Sequence, residues 1–158
     1  MNKEILFRGK RVDNDEWVYG DLIHRQVWRT QLTIIRVSDD GFDHYEEFEV
    51  KPETVSQFTG LVDKYGKKIF TGDIIRYCDE DCYYYPEDCT EFFGGVVQEC
   101  GAFGIGTQNE LPLELENWCN NDKFVSLWEI YWNLNCCDGE LPMIEVIGNI
   151  YDNKELLR

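Results

Sequence analysis

The chain has 158 residues, with 31 Asp+Glu against 15 Lys+Arg and a formal net charge of −16. Its length suits one domain, 1–158, with a substantial core, and 43% hydrophobic with 15% aromatic residues excludes a disordered chain. The charge argues against ordinary electrostatic binding of nucleic acid, and no apolar run reaches membrane-spanning length.

Ile5 to Gly9 predicts a first strand, and Asp13-Asn14-Asp15 a turn into a return strand over Trp17 to Ile23. Gln31 to Val37 is β-branched and apolar, and Ser38-Asp39-Asp40-Gly41 ends it. Phe48 to Val50 is a weaker strand that Pro52 stops or places at an edge. Asp63 to Gly66 predicts a turn capped by the Asp side chain. Short strands at Lys68 to Phe70 and Ile74 to Tyr77 flank a second turn, Thr71-Gly72-Asp73. Phe92 to Gln98 resumes strand character, and Gly101, Gly104 and Gly106 suggest bulges. Residues 124–134 fit a helical face at Phe124, Leu127, Trp128 and Tyr131. They also fit period 2 at Phe124, Trp128, Ile130, Trp132 and Leu134, and the aromatic and β-branched content favours strand. Met143 to Ile150 is a strand, followed by a helical turn capped at Asp152 or Asn153. Tight Gly-Asp turns between short apolar strands predict an all-β chain with a few helical turns, built on a small SH3-like β-barrel core.

Charge is uneven along the chain. Residues 1–36 carry seven Lys+Arg and five Asp+Glu, whereas 77–122 carry eleven Asp+Glu and no Lys or Arg. Within that acidic stretch, Asp79, Glu80, Asp81, Tyr83, Tyr84, Tyr85, Glu87, Asp88 and Glu91 form an unpatterned run expected to be an exposed loop or insertion. These residues are the candidate interaction surface. Acids supply complementarity to a basic partner and tyrosines add contact area at low entropic cost.

No catalytic set, metal site or cofactor is expected. So many carboxylates make chance pairs inevitable, and neither His24 nor His44 sits in a nucleophile motif. Gly101-x-x-Gly104-x-Gly106 lacks the order and following helix of a dinucleotide loop. Cys78-x3-Cys82 has acceptable zinc spacing but no spaced second pair, and Asp79-Glu80-Asp81 lacks the central Gly of a calcium loop. Met1 to Arg8 lacks the features of a secretion signal, so a cytoplasmic protein with reduced thiols is expected.

Three blocks together carry a resemblance. They are Phe7-Arg8-Gly9-Lys10 with Trp17-Val18-Tyr19-Gly20; Thr59 to Gly66 running into Phe70-Thr71-Gly72-Asp73-Ile74; and Glu145 to Asn153. In this order they resemble the YopX family of phage and prophage proteins, across nearly the whole chain. The sequence departs from that pattern at Ser56, where Gly is usual, and at Lys154, where Pro is usual. The resemblance implies an all-β, barrel-containing fold, a mobile-element origin and a bacterial host, and carries no activity or catalytic residue with it.

The expectation is therefore a non-enzymatic accessory protein that binds a host or phage protein through its acidic surface, DNA mimicry being its extreme form. The alternatives are a small-barrel nucleic-acid-binding protein using Arg8, Lys10, Arg11, Arg25, Arg29 and Arg36 with Trp17 and Trp28, an uncharacterised enzyme, and a homo-oligomer formed by complementary charge.

Overall fold

A computed structural model describes residues 4–38, 44–78, 91–106, 124–133, 140–141 and 143–157. The chain divides into two compact units, residues 1–58 and 59–158.

The first unit holds β1 (Phe7–Lys10), β2 (Trp17–Val27), β3 (Thr30–Ser38), β4 (Tyr45–Glu49), a 3-10 turn (Pro52–Thr54) and the start of β5 (Ser56–Asp63). Its strand order is β5-β1-β2-β3-β4, with each neighbouring pair antiparallel. Pro52 opens the 3-10 turn, where its missing N–H is no loss. Thr54 secures the turn by donating from Oγ1 to the Lys51 carbonyl (2.7 Å) and accepting from Lys10 N–H (2.9 Å). Thr33, Ile34 and Ile35 are buried in succession, so both faces of β3 are covered there. Gly9 in β1 lets Val50 close in, because a Cβ there would lie 3.0 Å from the valine side chain.

The second unit holds the rest of β5, β6 (Lys68–Phe70), β7 (Asp73–Cys78), β8 (Glu91–Glu99), β9 (Ala102–Gly106), β10 (Phe124–Ser126), a helix (Leu127–Asn133), β11 (Glu140–Leu141) and β12 (Ile144–Asn149). A 3-10 turn, Lys154–Leu157, ends it. The order β10-β9-β8-β7-β12 is antiparallel throughout. β6 pairs with β5, and β11 runs parallel to the end of β5. Ile69, Ile75, Ile105, Val125, Leu127, Ile130 and Ile144 are fully or nearly fully buried in one cluster. Each contributes roughly 1.5–3 kcal/mol relative to exposure.

Two expectations are corrected. The mostly-β reading holds, yet neither strand order closes on itself among the described residues, so no closed barrel is formed. Residues 124–134 are not one strand. Only Phe124–Ser126 is extended, and Leu127–Asn133 is helical. Burial decides between the two periods: Leu127 and Ile130 turn inward at helical spacing, while Trp128 and Trp132, members of the period-2 set, are exposed. Ser126 Oγ accepts from Trp128 N–H (3.2 Å), satisfying one donor at the start of this helix.

Candidate interaction surface

β2 and β3 pair from Asp21↔Arg36 to Val27↔Thr30. β1 flanks β2 only over Trp17 to Gly20, and β4 flanks β3 only over Ile34 to Ser38. Among the described residues, the outer part of the hairpin is thus a two-stranded ribbon with no third strand beside it. His24 through Gln31 are exposed on both faces. Such a ribbon is marginal alone and depends on its rooted end. It is hereafter the arm.

Two residues, Trp28 and Arg29, turn the arm. Trp28 is 96% exposed and adopts φ 55°, the left-handed region that glycine ordinarily supplies in two-residue hairpin loops. A bulky side chain there costs about 1–3 kcal/mol, and an exposed indole recovers nothing by burial. The Gln26 side chain donates to the Trp28 carbonyl (3.1 Å), helping to hold the turn. Trp28→Gly is therefore expected to leave the fold intact and raise its melting temperature by a few degrees, the shift of about 1 kcal/mol in a unit this size. A lower melting temperature would show that the indole supports the fold.

The arm is also where acid is missing. Between Leu22 and Ser38 the chain has Arg25, Arg29 and Arg36 and no Asp or Glu, within a molecule of net charge −16. Arg25 and Arg36 converge on Glu47 of β4, each at 2.8 Å, and Arg36 also lies 4.3 Å from the Tyr45 ring centroid. The hydrogen bond from Arg36, then that from Arg25, holds the Glu47 carboxyl below the usual glutamate range. Arg29 has no acid partner among the described residues, which leaves a cation beside the exposed indole.

A depressed carboxyl in the folded chain contributes stability above its unfolded pKa and loses it as pH falls through the folded value. Replacing Glu47 by Gln should accordingly lower the melting temperature at pH 7. That difference from wild type should begin to shrink as pH falls below the ordinary glutamate value of about 4.3 and vanish only below the depressed folded value. A difference independent of pH would remove the ion pair as its cause.

The other cations of the first unit are differently engaged. Arg8 is buried, with its guanidinium 4.7 Å from the Trp17 ring, and Lys10 approaches the same ring at 5.5 Å. Arg11 lies 4.4 Å from the Phe48 ring and pairs with Asp13 (2.5 Å), whose carboxyl is lowered by that hydrogen bond. Lys51 pairs with Asp15. The expected basic face thus resolves into cations on Trp17, cations held by acids, and the arm tip.

Asp79, Glu80, Asp81, Tyr83, Tyr84, Tyr85, Glu87 and Asp88 lie outside the described residues, as does Cys82. Glu91 opens β8 opposite Cys78. Among the described residues, no group of three or more His, Cys, Asp or Glu is placed to hold a metal.

The polar residues of the motif blocks serve the backbone. Asp63, 1% exposed, accepts from Tyr65 N–H and Lys67 N–H through Oδ1 (2.9 Å each) and from Val146 N–H through Oδ2 (3.0 Å). Asp73 Oδ2 accepts from Phe70 N–H at 2.8 Å. Gly72, at φ 81°, accepts from Ile150 N–H, and a Cβ there would lie 3.0 Å from the Tyr151 ring. Asn149 Oδ1 accepts from Tyr151 and Asp152 N–H, and Asn153 Oδ1 from Asn149 N–H. The second and third blocks are therefore two sides of one joint, which explains why they are read together. Nearby, Glu145 bridges Lys64 (3.0 Å) and Arg76 (2.5 Å), and these hydrogen bonds lower its carboxyl in that order.

The described residues combine a mostly-β architecture, motif blocks whose polar side chains bind backbone, and an exposed two-stranded ribbon. The YopX family (YopX protein) matches residues 6–158, and the chain belongs to that family. It is similar to the crystal structure of protein EF1440 from Enterococcus faecalis, with 20% identity, 98% of this chain and 99% of that chain covered, and a TM-score of 0.46. No curated protein matches it significantly. No helix among the described residues is long and apolar enough to cross a membrane.

Proposed function

We propose that the chain is a non-enzymatic accessory protein of a phage or prophage that acts by docking on another protein, with the β2–β3 arm as its docking element. The observation that carries this reading is Trp28, an almost fully exposed indole held at a backbone angle that costs stability. Strain with no gain in folding points to use elsewhere, and Trp and Arg are both among the residues enriched at binding hot spots. The acidic stretch 77–122, with Asp79 to Glu91, is a second docking element in this reading, supported by its charge alone.

We also read the first unit as a partly open, SH3-like small barrel. Supporting this are an isolated bridge between Arg11 and Val50, hydrogen bonds Val12 N–H to Glu49 and Lys51 N–H to Lys10, and a 3-10 turn before the strand that returns to β1.

A photoreactive amino acid at position 28, compared with one at the also exposed Tyr65, tests the docking role in the bacterial host. Protein adducts specific to position 28 are expected. Equal labelling at both positions would sink the reading, and adducts to nucleic acid alone would favour the small-barrel nucleic-acid alternative.

A further inference from the structure

We infer that the arm docks on a second copy of this chain, with Trp28 laid against the exposed ridge of Trp128 and Trp132 and the arm cations facing Glu129. The inference rests on reading the arm as the docking element. Trp128 and Trp132 are 58% and 67% exposed, four residues apart on the helix Leu127–Asn133, with ring centroids 5.9 Å apart and near-parallel planes. Trp128 also stacks on Tyr131 at 5.7 Å. A contiguous exposed aromatic ridge of this kind marks a contact surface, and its flat faces suit an incoming indole and a guanidinium.

Charge selects the occupant. The arm has two Arg, Arg25 and Arg29, and no acid, while Glu129 lies between the two tryptophans in the sequence of the helix. Two arms brought together would set cation against cation, so an arm-to-arm dimer is disfavoured. Arm to ridge pairs opposite charges and apolar faces. Such a contact is head-to-tail, so it builds rings or longer arrays rather than stopping at two copies.

Sedimentation velocity of the full chain, from about 1 to about 100 μM, reads this directly, since a contact of this small size dissociates in that range. Mass should climb beyond the dimer with concentration and fall in about 1 M salt, where the Debye length is about 3 Å. Trp28→Gly and Trp132→Ala should each weaken association at least about tenfold, the loss expected for a hot-spot side chain. Arg29→Glu should abolish association and Arg29→Glu with Glu129→Arg should restore it, with circular-dichroism melts confirming that each variant is folded.

A wild-type chain that stays monomeric throughout would overturn the inference while leaving the cross-linking test of the docking role standing. So would association that survives Trp28→Gly, or a charge swap without rescue. Tryptophan fluorescence with a single-stranded oligonucleotide covers the remaining occupant. Quenching lost in Trp28→Gly, in a chain that sediments as a monomer, would give the arm to nucleic acid and overturn self-docking.

Discussion

Asp63→Ala should destabilise the second unit by about 3–5 kcal/mol, a large share of the roughly 5–15 kcal/mol that holds a typical domain together. The carboxylate gathers three backbone N–H groups from two separate segments, two in its own turn and one in β12. The Val146 donor is buried, so without Asp63 it has neither protein nor water to bond. Hydrogen bonds to a charged acceptor are the stronger kind, which adds to the loss at Tyr65 and Lys67. Asp63→Asn keeps the shape and one acceptor oxygen but turns an NH2 towards an N–H, so it should cost less than the alanine and more than about 1 kcal/mol. Urea unfolding measured for wild type and both variants checks the ranking. An alanine variant within about 1 kcal/mol of wild type would show that the turn closes without its acid.

Gly20→Ala should be comparably damaging in the first unit, at about 3 kcal/mol or more. Gly20 pairs with Phe7 at the root of the arm, and a Cβ there would be driven into the Arg36 carbonyl, which is backbone and has no rotamer to escape by. β2 and β3 must separate where the arm leaves the sheet, so amide exchange over Asp21 to Val27 should accelerate along with the fall in melting temperature. Gly60→Ala is the control. Its φ of 88° resists a side chain but nothing lies within 4 Å of the added carbon, so its cost should stay near 1 kcal/mol. Equal losses at the two glycines would mean that backbone angle, not contact with β3, sets the penalty.

Much of the strand pattern was legible because Gly and Asp mark its turns. Asp63-Lys64-Tyr65-Gly66 and Thr71-Gly72-Asp73 are turns as read, and Lys68–Phe70 is a strand with the bounds expected. What escaped has physical causes. β5 was missed because its burial alternates between polar and apolar side chains: Ser56 and Asp63 are as buried as Phe58. The strand over Trp17 to Ile23 was expected to stop there, since His24, Arg25 and Gln26 show no apolar face. An arm open on both sides has no reason to show one. Its turn was hidden for a related reason: Trp-Arg replaces the Asn or Gly that announces such loops. Trp28 and Arg29 did stand out by composition, but their place at a strained tip is a matter of geometry. The helix Leu127–Asn133 was lost to its own aromatic content, since exposed tryptophans mimic a strand face that burial then contradicts.

β5 runs unbroken from Ser56 to Asp63, so one strand belongs to both units. Protein synthesis turns that into a timetable. Once Gln57 has cleared the ribosome, both neighbours of β1 are available to pair and the arm can be rooted. The far end of the same strand carries an acid whose Val146 partner lies more than eighty residues further along the chain. β7 likewise waits for β12, its antiparallel neighbour on one edge. The ribosome thus presents a finished arm ahead of an unfinished core, and the interval between them is when a bare β7 edge is open to the wrong strand.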